Sequence, residues 1–360
     1  MTATRPLHLA AEIGGPPRYD AASYVDLARL AERGSLDFVT LRDSFERPGP
    51  DALAVLARVA PATERVGLVP TVTTTHTEPF HLSTALATLD WVSHGRAGWL
   101  VDVSTNTAQA RLFGRRPAAP PSELWREAGE VADVAARLWD SWEDDAEIRD
   151  TSTGRFVDRD KLHHVDFQGA TFTVRGPSIV PRPPQGHPVT VVDIATGRAP
   201  ALTETAARHA DVVLIRAGRP GEAAALRERL RARAALHGRD PSTLRVLAAL
   251  TLDFHDGEHP REAGPANGAH TAAGAAGAHY RGGPVDLADL ITRWHGGGAV
   301  DGFHLTPVEP HRDLERLVNG TVAVLQHRSL FRTFHPGGTL REHLGLARPA
   351  NQYTTAGGAS

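Results

Sequence analysis

Short apolar runs alternate along the chain with longer segments whose apolar positions recur at helical spacing. LHLAAEI (7–13) reads as a strand, and SYVDLARLAERG (23–34) sets Val25, Ala28, Leu30 and Ala31 on one helical face before stopping at Gly34. LDFVTL (36–41) and DALAVLARVA (51–60) form the next strand and helix. RVGLVPTVTT (65–74) is followed by PFHLSTALATLDWVSHG (79–95), begun by Pro79 and ended by Gly95. AGWLVDVS (97–104) is the fourth strand and ELWREAGEVADVAARLW (123–139) its helix. Strands then recur at 187–195, 211–215, 244–254 and 301–307, with helices predicted at 201–210, 221–238 and 313–328.

Eight such units predict an α/β fold, a (β/α)8 TIM barrel with insertions, as one domain over 1–360. An open doubly wound sheet competes, but it usually carries a glycine-rich turn after its first strand, and GGPP (14–17) lacks GxGxxG spacing. Residues 140–187 break the rhythm between the fourth helix and the fifth strand. Within them FQGATFTVRG (167–176) resembles a hairpin and PRPPQG (181–186) a stiff extended piece. The Ala- and Gly-rich stretch 257–283 reads as a mobile loop, and 351–360 as a frayed tail.

The barrel gives meaning to one misplaced charge. In AGWLVDVS, Asp102 sits inside a strand that is otherwise apolar until Ser104, where a carboxylate is costly unless paired. Alternation puts Leu100, Asp102 and Ser104 on one face and Trp99, Val101 and Val103 on the other. The bulkier set suits the layer under the helices. Asp102 and Ser104 then point inward near the carboxyl end, where barrel active sites are built. An interior ion pair is the plainer reading of Asp102.

Composition narrows the chemistry. The chain has 360 residues, 41% hydrophobic and 22% charged, with a formal charge of −3, which gives no reason to expect nucleic acid or an anionic membrane as partner. The absence of cysteine excludes disulfides, thiolate metal sites and a Cys nucleophile. MTATRPLHLAAEIGG lacks the apolar core of a signal peptide, and no membrane-length apolar run occurs, so a soluble, cytoplasmic protein is expected. The 19 histidines raise the question of a metal, but His8-Leu9-Ala10 is not a His-x-His pair, and no metal site is expected.

Several stretches carry a resemblance. TVTTTHTEPFHL (71–82), ATLDWVSHGRAGW (87–99), LWDSWEDDA (138–146), the run from Gly154 to Val189, AARHAD (206–211) and LFRTFHPGGTLREHLGL (330–346) resemble bacterial luciferase-like flavin monooxygenases. The likeness is greatest to the branch containing nitrilotriacetate and dibenzothiophene-sulfone monooxygenases. It implies a barrel with insertions that binds reduced FMN at its carboxyl end, reacts it with O2 and oxidises a small organic substrate. It also implies a separate NAD(P)H:flavin reductase as partner and a homodimer or tetramer. In such an enzyme the flavin carries the chemistry, and the protein positions and shields it.

Residue by residue the resemblance is uneven. Thr73 and Thr74 match the family's hydroxyl pair beneath the flavin ring, although β-branched residues also simply suit a strand. Asp43 matches an Asp-Ser at the end of the second strand; Asp51 lies near an acidic family residue and would also serve as an N-cap. The family reads Gly-Trp-Asn in the fourth strand where this chain has Leu100, the polar group having moved to Asp102. Pro121 and Trp125 stand where the family has a His and a Tyr, leaving Trp125 to stack or pack near the phosphate arm. The family's Gly-Ser-Ser after the fifth strand is replaced by DIATGRAPAL, so Thr196, Gly197, Arg198 and the following helix N-terminus are the expected phosphate site.

His76, His81 and His304 lie near the ends of the third and eighth strands; His304 and His76 join Asp102 as candidate acid-base groups. Two alternatives remain open on the sequence. A related barrel could use the deazaflavin F420 for hydride transfer. A non-catalytic flavin- or ligand-binding barrel would account for Leu100, Pro121 and the altered phosphate loop.

Overall fold

The computed structural model describes residues 5–15, 19–46, 48–197, 199–254 and 278–356. Eight strands form the barrel: β1 (His8–Glu12), β2 (Phe38–Leu41), β3 (Gly67–Thr73), β4 (Gly98–Asp102), β5 (Val189–Asp193), β6 (Val212–Ile215), β7 (Arg245–Asp253) and β8 (Gly302–Pro307). Each pairs in parallel with the next, and β8 pairs with β1 to close the ring. The outer helices include α1 (Ala21–Arg33), α2 (Ala52–Val59), α3 (Pro79–Val92), α4 (Thr107–Phe113), α5 (Pro121–Asp140), α6 (Pro200–His209), α7 (Pro220–Leu236), α8 (Pro284–Gly296) and α9 (Pro310–Arg316). The (β/α)8 barrel expected from the strand count is the observed architecture.

Side-chain alternation builds two cores. Ala10, Phe38, Val69, Leu100, Val191 and Leu214 point into the barrel, which Leu340, Leu344 and Leu346 of the C-terminal segment close from the amino end. That plug explains Gly67, where a Cβ would lie 2.6 Å from Leu340 Cδ1. Trp99 and Val101 take the opposite face and fill the layer beneath the helices, as the pattern of β4 predicts. The indole Nε1 of Trp99 donates to Thr190 Oγ1 at 3.0 Å.

An aspartate stands immediately before three of the four even-numbered strands at the amino end: Asp37 before β2, Asp211 before β6 and Asp301 before β8. Each accepts an otherwise open strand N–H, from Leu9 (2.8 Å), Thr190 (3.0 Å) and Val246 (2.9 Å) respectively. Asp90 of α3 performs the same service for Ala97 ahead of β4, at 3.0 Å. Arg332 and Arg341 pair with Asp37 (2.7 Å) and Asp211 (3.0 Å), so the C-terminal plug is tied to the barrel by charge as well as by leucines.

Some elements were not legible in the pattern. Residues 140–187 contain two hairpins, Glu147–Asp150 with Arg155–Val157 and the foreseen Phe167–Gln168 with Thr173–Val174. The seven-residue α4 and the helix α8 are further elements beyond those the pattern predicts. Of the stretch 257–283 expected to be a mobile loop, residues 257–277 lie outside the described residues, and Ala278–Arg281 form a strand alongside β7. Where fraying was expected from 351 onward, Asn351 is buried and donates to the carbonyls of Asp140 (2.8 Å) and Trp142 (2.9 Å), while Tyr353 stacks on His163. A buried side-chain amide with two partners holds the chain at that point. Among the described residues no helix is long and apolar enough to cross a membrane, and no group of His, Cys, Asp or Glu could hold a metal ion.

Candidate active site

The inward positions turn polar as the strands reach their carboxyl ends. Above Leu100 on β4 comes Asp102, above Val191 on β5 comes Asp193, and after β2 come Arg42 and Asp43. With Thr71 of β3 they line a narrow cleft at the barrel mouth. Arg42 crosses it: its Nε donates to Glu12 Oε2 at 3.1 Å and its Nη2 to Asp193 Oδ2 at 2.9 Å, joining β1 and β5. Arg216 approaches the same Asp193 oxygen at 3.5 Å. Burial disfavours the charge on Arg42, but Glu12 and Asp193 outweigh it and hold its proton more tightly than usual.

Asp43 is pushed up to about 6, chiefly by burial, with Asp51 and Asp102 acting in the same direction. The Ala52 N–H, donated to Asp43 Oδ2 at 2.7 Å, opposes that shift. Asp51 caps α2, accepting from Ala54 N at 2.7 Å, and is exposed. Thr74 donates its hydroxyl to the Asp102 carbonyl at 3.1 Å, fixing the backbone beneath the cleft, and the Thr73 carbonyl accepts from the Thr77 hydroxyl. Ser104 spends its hydroxyl on Gln109 of α4.

The histidines separate. His304 is fully buried at the level of Ala10 and Ala249, and burial pushes it down to about 3, so it is neutral. Its Nε2 shares a hydrogen bond of 2.8 Å with the Thr40 hydroxyl, and its buried Nδ1 has no partner. His76 follows β3 at φ 68°, a conformation non-glycine residues rarely adopt, and stacks on Phe113 of α4 with ring centroids 4.8 Å apart. Both its ring nitrogens are buried without partners, and burial lowers its proton affinity, with Arg116 adding to the effect. Phe113 also meets Phe45 edge-on at 4.7 Å, so α4 and the loop after β2 close together over one side of the mouth. His81 is exposed on α3.

Trp125 does not line the cleft. It shares the buried face of α5 with Ala128 and Ala132, three and seven positions on, and packs in the layer between barrel and helices. Its carbonyl accepts the Thr205 hydroxyl at 2.7 Å. It thus packs beside α6, the helix whose start is the expected phosphate site. At the expected phosphate site, Asp193 caps the turn Ile194–Thr196 by accepting from Ala195 N at 3.0 Å, and Gly197 is extended. Arg198 lies outside the described residues. Helix α6 begins at Pro200, which has no N–H, without a side-chain cap, and the Leu202 N–H is donated to the Ala199 carbonyl at 3.0 Å.

Of the residues at the mouth, Asp102 is legible in the sequence, whereas Glu12, Arg42, Asp193 and Thr71 are not. The signal was the same one, a polar residue at an inward position near a strand's carboxyl end. Their partners are hidden because the groups that meet at the mouth are far apart in the chain.

A profile of the luciferase-like monooxygenase family matches residues 5–264. The chain is 33% identical to nitrilotriacetate monooxygenase component A of Aminobacter aminovorans, over 92% of this chain and 91% of that protein. It is 29% identical to the dibenzothiophene-sulfone monooxygenase of Rhodococcus erythropolis, over 91% and 90%. Among solved structures, long-chain alkane monooxygenase superposes with a TM-score of 0.83 at 22% identity, covering 95% of this chain and 96% of that one. An F420-dependent secondary alcohol dehydrogenase shares the fold more distantly, with a TM-score of 0.66 at 16% identity.

Proposed function

The chain belongs to the luciferase-like monooxygenase family, and on that premise we propose that it is the oxygenase component of a two-component system that uses reduced FMN and O2 to oxidise a small organic substrate. The observation that carries the placement of the cofactor is the mouth itself. There Thr71 Oγ1, on the wall of the cleft, is a buried polar atom with no protein partner, as are both ring nitrogens of His76 just after β3. Such atoms are costly to leave unsatisfied, and a hydrogen-bonding ligand at the mouth relieves that cost. These atoms support a hydrogen-bonding ligand at the mouth, and membership of the family makes a reduced flavin the reading they favour.

In this reading Asp43, Asp102 and Thr73 face the ring, and Thr74 holds the Asp102 backbone in place. Thr196, Gly197, Arg198 and the uncapped start of α6 take the phosphate. Asp51 and Ser104 support the site through the α2 cap and the α4 contact, and His304 is a positioning residue that acts through Thr40. His76, beside α4, is placed to hold or move a proton at its ring nitrogens. Bound reduced flavin supplies the reaction with O2; the protein orients it and excludes water. A separate NAD(P)H:flavin reductase supplies the reduced cofactor, and the enzyme acts in the cytoplasm as a homodimer or tetramer.

The test is equilibrium dialysis with anaerobic fluorescence titration against FMN, FMNH2 and F420, followed by reductase-coupled substrate screening. Preferred binding of FMNH2 supports the reading. Preferred F420 binding replaces it with hydride transfer, and no binding of any of the three removes it.

A further inference from the structure

We infer that Thr71 is a ligand-contacting residue of the mouth, supplying from β3 the polar contact that Leu100 does not supply from β4. The inference rests on the proposed flavin site and adds a residue to it. Thr71 and Leu100 are direct cross-strand partners, both inward-facing and both on the wall of the mouth cleft. Leu100 offers no donor or acceptor there. Thr71 is 5% exposed, and its hydroxyl makes no hydrogen bond.

That isolation sets it apart from its neighbours. The hydroxyl of Thr74 is donated to Asp102, that of Thr77 to Thr73, and that of Thr40 is bonded to His304. Each of these stabilises the protein on its own terms. A buried hydroxyl without a partner does the opposite. As both donor and acceptor it can meet either a carbonyl oxygen or a ring N–H of the flavin. Thr71 thus weakens the empty protein and strengthens the filled one, the behaviour of a binding group rather than a packing group.

The distinguishing substitutions are Thr71→Val, which keeps shape and removes the hydroxyl, and Thr71→Ser, which keeps it. Thermal unfolding of the full chain without ligand and anaerobic titration with FMN and FMNH2 are both measured. The expected result is that T71V melts at or above the wild-type temperature and binds flavin about tenfold more weakly, one hydrogen bond's worth of about 1.4 kcal/mol. T71S keeps wild-type affinity. Equal flavin binding by T71V and the wild type overturns the role of Thr71 and leaves the cofactor assignment intact. A lower melting temperature for T71V also overturns it, because the hydroxyl would then be structural. Failure of the wild type itself to bind flavin overturns the cofactor assignment, and this inference with it.

Discussion

Arg42 and Asp193 meet at 2.9 Å across the barrel mouth, one from the end of the second strand and the other from the end of the fifth, 151 residues apart in the chain. Glu12 holds the other side of the same guanidinium at 3.1 Å. The side chains of Arg42, Glu12 and Asp193 are 22%, 12% and 2% exposed, so the three charges are largely removed from water and depend on one another. This bridge forms part of the wall of the cleft that receives the proposed cofactor.

Arg42→Met removes the ion partner of Glu12 and leaves Asp193 with Arg216 alone, at 3.5 Å. Losing one partner of a fully buried pair costs about 3–5 kcal/mol, and the residual exposure of Arg42 brings the expectation to roughly 2–3 kcal/mol. Urea unfolding measures it. The double variant R42M/D193N should lose less than the two single variants added together, and strictly additive losses would show that the pair is not coupled.

At the opposite end of the barrel, Asp37 pairs with Arg332 and His8 and accepts the Leu9 N–H. Burial works against its charge, but Arg332 and His8 hold the carboxyl well below the usual range. Asp37→Asn leaves Arg332 without its counter-charge and loosens the C-terminal plug, with an expected loss of about 3–5 kcal/mol. A loss under about 1 kcal/mol in a urea titration would contradict the electrostatic tie described here.

Stability at acid pH carries a signature of His304. Folded, it is pushed down to about 3; unfolded, it titrates near its ordinary value of 6.5. Between those limits the unfolded chain binds a proton that the folded chain refuses, so this group's contribution falls as the pH is lowered from 6.5 towards 3. His209 and His343, each lowered to about 4 by burial, act in the same sense; Asp90 and Asp43, raised by burial to about 7 and about 6, act in the opposite one. The comparison is therefore wild type against His304→Gln. Their stabilities should converge by about 1.4 kcal/mol for each pH unit from 6 down to 4, and parallel profiles would place His304 in a less buried setting.

Much of the fold was legible because its signals are local. The apolar alternation around Leu100 and Trp99 assigns β4 and both of its faces, and Pro79 and Gly95 bracket α3 with its closing turn. Asp102 was legible too, since a charge at an inward strand position has few explanations. The bridge was not. Glu12, Arg42 and Asp193 carry the same kind of signal, but only closure of the barrel brings β1, β2 and β5 to one mouth. Trp125 was legible as a packing residue, because its spacing to Ala128 and Ala132 puts it on the buried face of α5. Thr71 was invisible for a second reason. Its distinction is a hydrogen bond it does not make, and no sequence states that.

The central claim is that the barrel mouth of this chain receives reduced FMN, and anaerobic titration of the purified full-length protein with FMNH2 tests it most directly. The account predicts saturable binding that is tighter than for F420 and weakened by Asp102→Leu, which removes a polar group from the cleft. No saturable binding, or binding indifferent to the change at Asp102, would contradict it.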